Sequence, residues 1–508
     1  MRRKTIAAVA LVLIAAGAGG YLYVFERPWL LDRLSGPEAR TELVPRACGF
    51  TTESGRTMVC YDLYVPENRA RIGGRLIKLP ILVFEAPERP KHEDPVLLIG
   101  GGPGAIAYTE KRFAEMWKGK FKDLPWLQGR DLIVYDQRGV GGARPALECP
   151  EIDATRDDPM NLDRAKSAMI ACRDRLAREG NDLLAYDTNA NADDVLSIKA
   201  KFGAKSLILW GQSYGTRVAL TVMRRNPAGV RGAILDGAYP PEVAGRLNMA
   251  SAFTDTLERI FDACEKDEEC RADYPDFRRR FEQVVEQLRA QPAAVKSDPS
   301  PLLPPKVFQV NDVIFLSIVD SLLYTADGVA KLPWIVDRIA DGRPEALTEP
   351  IADWDQVSYG PFVTAGISYL VDCNDTPDPD DSEERSAARR LPHLAPWLNY
   401  ALAVKPCPIW SPRKAPALDR APIRSEIPTL VVSGWFDIAT PPEWAIVTAR
   451  SLARAQLVLV RAASHDASDQ SCAQSALAAF LAEPDRDLSH FCGPAPSHPR
   501  FKRKSDEE

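Results

Sequence analysis

Leu207-Ile-Leu-Trp-Gly-Gln-Ser-Tyr-Gly-Thr216 is the stretch that decides the fold. Leu207 to Trp210 is a short apolar run, as a buried strand requires. Gly211-Gln-Ser-Tyr-Gly215 fits Gly-x-Ser-x-Gly, and Thr216-Arg-Val-Ala-Leu-Thr-Val-Met223 reads as a helix. Strand, sharp turn and helix are the setting of a nucleophile elbow, which holds its serine above the end of the strand. The turn imposes strained angles on Ser213. Glycines two residues to either side remove Cβ atoms that would collide with the neighbouring strand or helix. The N-terminus of the helix that follows favours negative charge developing beside it. The five-residue pattern alone is weak evidence; its flanks make Ser213 the candidate nucleophile.

A serine hydroxyl needs a base, and the base needs an orienting acid. On this type of strand-turn-helix the chain order is serine, then Asp or Glu, then His. The chain has five histidines. His92 lies in a charged hairpin before the strand that opens at Pro95, His393 lies among prolines, and His490 and His498 are near the C-terminus. His465 alone follows an apolar strand, in Arg461-Ala-Ala-Ser-His-Asp466. The acid is expected after the preceding strand, where Ser433-Gly-Trp-Phe-Asp-Ile-Ala-Thr-Pro-Pro442 places Asp437. Thr440, ahead of Pro441 and Pro442, is expected to cap the next helix, which leaves Asp437 free to hold the His465 ring.

Pro95-Val-Leu-Leu-Ile99 is another apolar strand, and it runs into Gly100-Gly-Gly-Pro-Gly104. Gly100, Gly102 and Ala105 satisfy Gly-x-Gly-x-x-Ala, a dinucleotide pattern. Asp136 lies too far along the chain for the acid of that pattern, and Pro103-Gly104 is a poor first turn for a long helix. The alternative is an oxyanion loop, with the backbone N–H of Gly102 acting beside that of Tyr214. Asp136-Gln-Arg-Gly139 closes the next strand, and Gln137 and Arg138 are expected to brace the glycine loop from beneath.

The remaining pattern alternates helices and strands up to Arg231-Gly-Ala-Ile-Leu-Asp236, which argues for a mostly parallel sheet with helices on both faces. Residues 28–47 read as an irregular lead-in, and Asn189 to Phe202 as a capped helix before Gly203. From 246 to 425 the chain shows helical stretches with proline-rich joints and little strand signal. Strands resume at Ile427 and Leu457, a last helix spans Asp466 to Leu481, and the tail from 493 to 508 reads as disordered. The expected division is 1–25, a signal peptide or membrane anchor; 27–245, the first part of the core; 246–425, a helical insertion; 426–492, the second part of the core; and 493–508, a tail.

The chain of 508 residues is 45% hydrophobic and 26% charged, with net charge −6. That is globular composition with no nucleic-acid footprint. Arg2-Arg-Lys4 precedes 21 residues without charge, Thr5 to Phe25, which reads as an export signal. Ala16-Gly-Ala18 could be a cleavage site, yet the run is long enough to span a bilayer, so membrane attachment through residues 5–25 stays open. Ten cysteines suit an oxidising compartment, periplasmic or extracellular. Their spacing groups them as Cys48 with Cys60, Cys149 with Cys172, Cys264 with Cys270, Cys373 with Cys407, and Cys472 with Cys492. No Cys-x-x-Cys pair suggests a metal, and no metal or cofactor is called for.

Taken together, Gly100 to Gly104, Asp136 to Gly139, Gly211 to Thr216, Gly434 to Pro442 and His465 resemble the proline iminopeptidase and tripeptidyl aminopeptidase family of α/β-hydrolases. The resemblance covers about 75–245 and 427–482. Its first motif usually reads His-Gly-Gly-Pro-Gly; Gly100 in place of the histidine is closer to the secreted, cysteine-containing branch. The resemblance implies an α/β-hydrolase fold with an inserted helical cap, and peptide substrates cleaved from a free N-terminus.

A charged amine calls for carboxylates in low dielectric. Asp372 and Asp375, in Asp372-Cys-Asn-Asp375, are the expected pair, unless they simply belong to the acidic run from Asp378. An esterase with the same triad is the alternative, since its chemistry is shared up to the acyl-enzyme. A binding protein with an unused triad is a third reading, and oligomeric state is left open.

Overall fold

The computed structural model describes residues 40–51, 56–88, 91–105, 109, 124–243, 245–298, 303–360, 363–375, 386, 389–411, 415–493 and 496–507. The N-terminal apolar segment and the acidic run after Asp375 lie outside these residues. Among the described residues no helix is long and apolar enough to cross a membrane.

Eleven strands are described: β1 (Glu42–Arg46), β2 (Met58–Pro66), β3 (Leu76–Phe84), β4 (Val96–Ile99), β5 (Leu132–Tyr135), β6 (Leu207–Gln212), β7 (Val230–Asp236), β8 (Ala293–Lys296), β9 (Val307–Val310), β10 (Thr429–Gly434) and β11 (Ala455–Val460). Nine of them form one sheet in the order β1-β2-β3-β5-β4-β6-β7-β10-β11. The first three strands pair antiparallel, and β3 meets β5 antiparallel. From β5 to β11 every pairing is parallel. The continuous apolar runs of β4, β5 and β10 are buried at every position, as both faces of a parallel sheet require. This is the α/β-hydrolase sheet, and the elbow strand β6 sits between β4 and β7.

The principal helices are α1 (Leu162–Arg178), α2 (Thr188–Lys201), α3 (Tyr214–Arg225), α4 (Gly245–Lys266), α5 (Phe277–Ala290), α6 (Asp312–Leu322), α7 (Ala326–Ala340), α8 (Thr348–Tyr359), α9 (Ala365–Asp375), α10 (Ala395–Val404), α11 (Pro442–Ser451) and α12 (Ser471–Ala482). One apolar core joins α1, α2 and α3 to one sheet face, through residues such as Leu176, Ile198, Val218, Leu97 and Leu209. A second covers the other face with α12, through Leu477 and Phe480 against Val96, Ile208 and Ile234. A third lies in the insertion between β7 and β10, around Phe253, Phe281, Phe315, Val319, Ile335 and Trp397. The end of the insertion belongs to the first core instead: Ile367, Leu370 and Val371 of α9, with Trp410, pack there.

Several local readings are corrected. Residues 42–46, expected to be irregular, form edge strand β1, because pairing with β2 satisfies a segment that shows little apolar pattern of its own. The α2 cap is Asp187, which accepts from Ala190 N at 2.7 Å; Asn189 lies inside the helix. The insertion carries an antiparallel hairpin, β8 with β9. The last helix starts at Ser471, after a short 3-10 turn at Ala467–Asp469.

The tail is the largest correction. Residues 496–507 pack on the insertion. Phe501 is 3% exposed within the third core. Lys502 N donates to Ala330 O at 3.0 Å, and Tyr274 donates its hydroxyl to Lys502 O at 2.6 Å. Arg503 pairs with Asp273 and Glu269, and Lys504 with Asp337. Basic residues facing acidic helices, plus one aromatic anchor, order a segment whose composition alone suggests disorder.

Five disulfides join Cys48–Cys60, Cys149–Cys172, Cys264–Cys270, Cys373–Cys407 and Cys472–Cys492, the neighbouring pairs grouped by spacing. Such a set belongs to an extracellular or exported protein.

Candidate active site

Ser213 occupies the turn between β6 and α3 with φ 53° and ψ −122°, a conformation that costs a non-glycine residue about 1–3 kcal/mol. Its amide donates to Asp236 O at 2.8 Å, which ties the turn to the end of β7. The glycines are needed for space. A Cβ on Gly215 would fall 2.0 Å from Ile99 O, and one on Gly211 would fall 2.6 Å from Gly215 O. A Cβ on Gly101 would lie 3.1 Å from Ser213 Cβ, so the glycine loop passes directly beside the serine.

His465 and Asp437 meet at 2.9 Å, His465 Nδ1 to Asp437 Oδ2. Asp437 is 1% exposed and well satisfied. Ala439 N and Thr440 N donate to Oδ1 at 2.9 and 2.8 Å, and the Thr440 hydroxyl donates to Oδ2 at 2.8 Å. An acceptor-rich carboxylate fixes the imidazole proton on Nδ1 and leaves a lone pair on Nε2. Burial works against a charged His465, but Asp437, with Asp236 and Asp466 adding to it, outweighs burial and raises the imidazole pKa above its ordinary value. Gly237 (φ +67°) lets the β7 exit approach this pair; a Cβ there would sit 3.1 Å from His465 Cε1. The elbow and the Asp437–His465 pair thus both abut the Asp236–Gly237 segment.

Thr440 is not the helix cap. Its hydroxyl binds Asp437 and lies 3.2 Å from His465 Nδ1, while Pro441 takes the N-cap position of α11 without a side-chain cap. The other histidines are engaged elsewhere. His393 lies beside Glu282 and Glu286, His498 beside Asp267, His490 against Phe491, and His92 donates its amide to Gly129 O.

Of the expected loop braces, Gln137 donates to Gly100 O at 2.8 Å and supports the glycine loop. Arg138 does not. It is fully buried, forks onto Asp194 at 2.8 and 2.7 Å, and donates to Glu67 O and Ala185 O. A bidentate carboxylate satisfies a buried guanidinium better than a loop carbonyl does.

The insertion is stitched to the histidine loop. His465 N donates to Tyr324 O at 3.1 Å, Ser464 Oγ donates to Leu323 O and Phe436 O, and Ala326 N donates to Asp466 Oδ2 at 3.1 Å. The Tyr324 ring meets the His465 ring edge-on, centroids 5.5 Å apart. One turn earlier on α6 is Asp320, half-buried, with no hydrogen bond or ion pair among the described residues. Desolvation pushes its carboxyl up to about 7. No sequence signal singled out Tyr324 or Asp320, because neither belongs to a motif and α6 reads as one more mostly apolar helix of the insertion.

Asp375 is brought elsewhere than expected. Its carboxylate is buried and accepts from Thr188 N at 3.0 Å and from Thr188 Oγ1 at 2.5 Å. It is taken up internally, so it does not present itself to a substrate amine. Asp372, a turn away, is half-buried. Among the described residues no group of three His, Cys, Asp or Glu side chains could hold a metal ion.

Comparison with known proteins agrees with this geometry. The family model for the alpha/beta hydrolase fold matches residues 94–291, and the model for TAP-like protein matches residues 395–490. The chain is 26% identical over 518 residues to the serine protease Hip1 of Mycobacterium tuberculosis, covering 94% of each chain. It is 25% identical over 430 residues to carboxylesterase B of the same organism, covering 79% of each. A serine at an elbow, a carboxylate-oriented histidine on the loops beyond the parallel strands, and these two matches together make the chain a serine hydrolase of the α/β fold, similar over residues 395–490 to TAP-like proteins.

Proposed function

We propose that the protein is an exported serine exopeptidase that removes residues or short peptides from free N-termini through an acyl-enzyme. The Asp437–His465 pair beside the Ser213 elbow carries this reading. Ser213 Oγ attacks the scissile carbonyl carbon as His465 Nε2 takes its proton, and Asp437 holds the ring. The N–H groups of Tyr214 and Gly102 hold the oxyanion. His465 then returns the proton to the leaving amine, and water, activated the same way, releases the acyl group and restores Ser213. No metal or cofactor takes part.

Recognition of a free N-terminus is supported by Asp320. A half-buried carboxylate without a partner among the described residues, one turn from the Tyr324–His465 contact, suits a substrate ammonium. The amine role expected of Asp375 passes to Asp320, with Asp372 as a second carboxylate. Export is supported by the basic and apolar N-terminus and by the five disulfides. Attachment through residues 5–25 is compatible with the same segment. The relatedness to carboxylesterase B favours the second reading, a carboxylic-ester hydrolase with the same triad.

Matched aminoacyl and tripeptidyl arylamides, free or N-acetylated, and short acyl esters separate the two. An exopeptidase cleaves only the free-amine arylamides, and Asp320→Asn raises their KM about tenfold or more. Equal turnover of acetylated substrates, or turnover of esters alone, would leave the esterase.

A further inference from the structure

We propose that Asp375 is a positioning residue for the oxyanion donor at Tyr214, acting through the Thr188 hydroxyl. This rests on the hydrolase reading of Ser213 but not on the identity of the substrate.

Tyr214 is the first residue of α3, so its amide has no partner within the helix and is free to point at developing charge. Its ring is 1% exposed, and its hydroxyl lies in a closed polar chain. Asn191 Nδ2 donates to the Tyr214 hydroxyl at 3.1 Å, and Thr188 Oγ1 lies 2.9 Å from it. The single Thr188 hydroxyl proton goes to Asp375 Oδ2 at 2.5 Å. Two oxygens 2.9 Å apart need a proton between them, so Tyr214 donates to Thr188. Burial holds the Tyr214 pKa well above its ordinary value, so that proton stays in place. The chain therefore runs in one direction, Tyr214 to Thr188 to the Asp375 carboxylate. Each link is polarised by the next in a low dielectric.

Both ends of the Tyr214 side chain are thus held, by the elbow and by Asp375. Asp375 is in turn fixed. It lies two residues after Cys373, which is bridged to Cys407, and Arg217 of α3 donates to its backbone carbonyl at 3.4 Å. The charged and titratable groups facing its carboxylate are Asp187 at the α2 cap, and Arg217 and Tyr214 on α3. Burial, with Asp187 adding to it, raises the Asp375 pKa above the usual carboxylate range, and Arg217 opposes this. Protonated Asp375 donates to Thr188 instead of accepting. The Thr188 proton must then turn towards Tyr214, and the chain loses its direction. The arrangement is complete only with Asp375 ionised.

The test uses the whole protein, with single-turnover fluorophosphonate labelling of Ser213 and steady-state kinetics from pH 5 to 9. Asp375→Asn, Thr188→Val and Tyr214→Phe should each lower kcat and the labelling rate about tenfold or more, with KM changed less than about twofold. On the acid side the wild-type log kcat/KM should fall more steeply than a slope of about one where His465 and Asp375 titrate together, and Asp375→Asn should reduce the slope to about one. Tyr214→Phe keeps the ring volume, so it reads the chain even where Asp375→Asn folds poorly. Wild-type labelling with variant rates and pH profiles superimposed on it would overturn the proposal. An unlabelled wild-type Ser213 would overturn the hydrolase reading itself.

Discussion

The Thr440 hydroxyl donates to Asp437 Oδ2 at 2.8 Å and lies 3.2 Å from His465 Nδ1. The threonine therefore braces the carboxylate that braces the histidine. Thr440→Val keeps the volume and removes one of four donors from Asp437; Ala439 N, Thr440 N and His465 Nδ1 remain. The loss is about 1–1.5 kcal/mol, so kcat/KM should drop about tenfold with the fold intact. Kinetics of the variant beside its circular dichroism spectrum check this.

In the proposed mechanism the working form of His465 is the neutral imidazole, so activity should rise with pH through its pKa. Asp437, Asp236 and Asp466 raise that pKa despite burial, which places the His465 limb above the ordinary histidine value of 6.5. The same shift stabilises the fold. The contribution is complete below the ordinary histidine pKa and is lost as pH rises through the raised one. Asp437→Asn removes the largest raising influence. The limb should move to lower pH and kcat should fall about 10⁴-fold. A pH–rate profile of both proteins measures the two effects together.

Ser213 sits at φ 53°, where glycine is at ease and serine is not. Ser213→Gly should abolish activity while raising stability by about 1 kcal/mol, whereas Ser213→Ala abolishes activity without that gain. Urea unfolding of the three proteins tests it. A glycine variant no more stable than the alanine variant would mean that the elbow stores no strain.

Phe501 is buried among the helices of the insertion, and Lys502, Arg503 and Lys504 contact α7, Tyr274, Asp273, Glu269 and Asp337 around it. Phe501→Ala should cost about 3 kcal/mol of local stability. Amide exchange should rise in α5 and α7 and stay unchanged in the central strands β4, β6 and β7. Exchange rising equally everywhere would show that the tail supports the whole fold instead.

The fold and the placement of the candidate triad residues were legible for one reason: each rests on local pattern. Apolar runs flanked by glycines place β4, β6 and β10, and Gly-x-Ser-x-Gly places Ser213 at the turn. Asp437 and His465 follow from chain order, because each closes an apolar strand of the parallel sheet. The disulfides follow from spacing, since each joins neighbours along the chain. What failed depended on which partner a side chain finds in the folded chain, often one far away in sequence. The tail reads as disordered until Asp273 and Asp337 face it. Thr440 looks like a cap until Asp437 turns towards it. Asp375 looks like a substrate anchor until Thr188, 187 residues earlier, is placed against it.

The amino-acid sequence by itself determined the sheet, the elbow and which residues are candidate nucleophile, acid and base, because backbone sterics and hydrophobic periodicity act between near neighbours. Only the tertiary structure decided which carboxylates are satisfied and which stand open. Asp320 and Asp375 are both acids on helices of the insertion, and nothing in their local sequence tells which of them the fold satisfies. Desolvation and hydrogen bonding depend on what packs against a group, and packing is a property of the assembled chain.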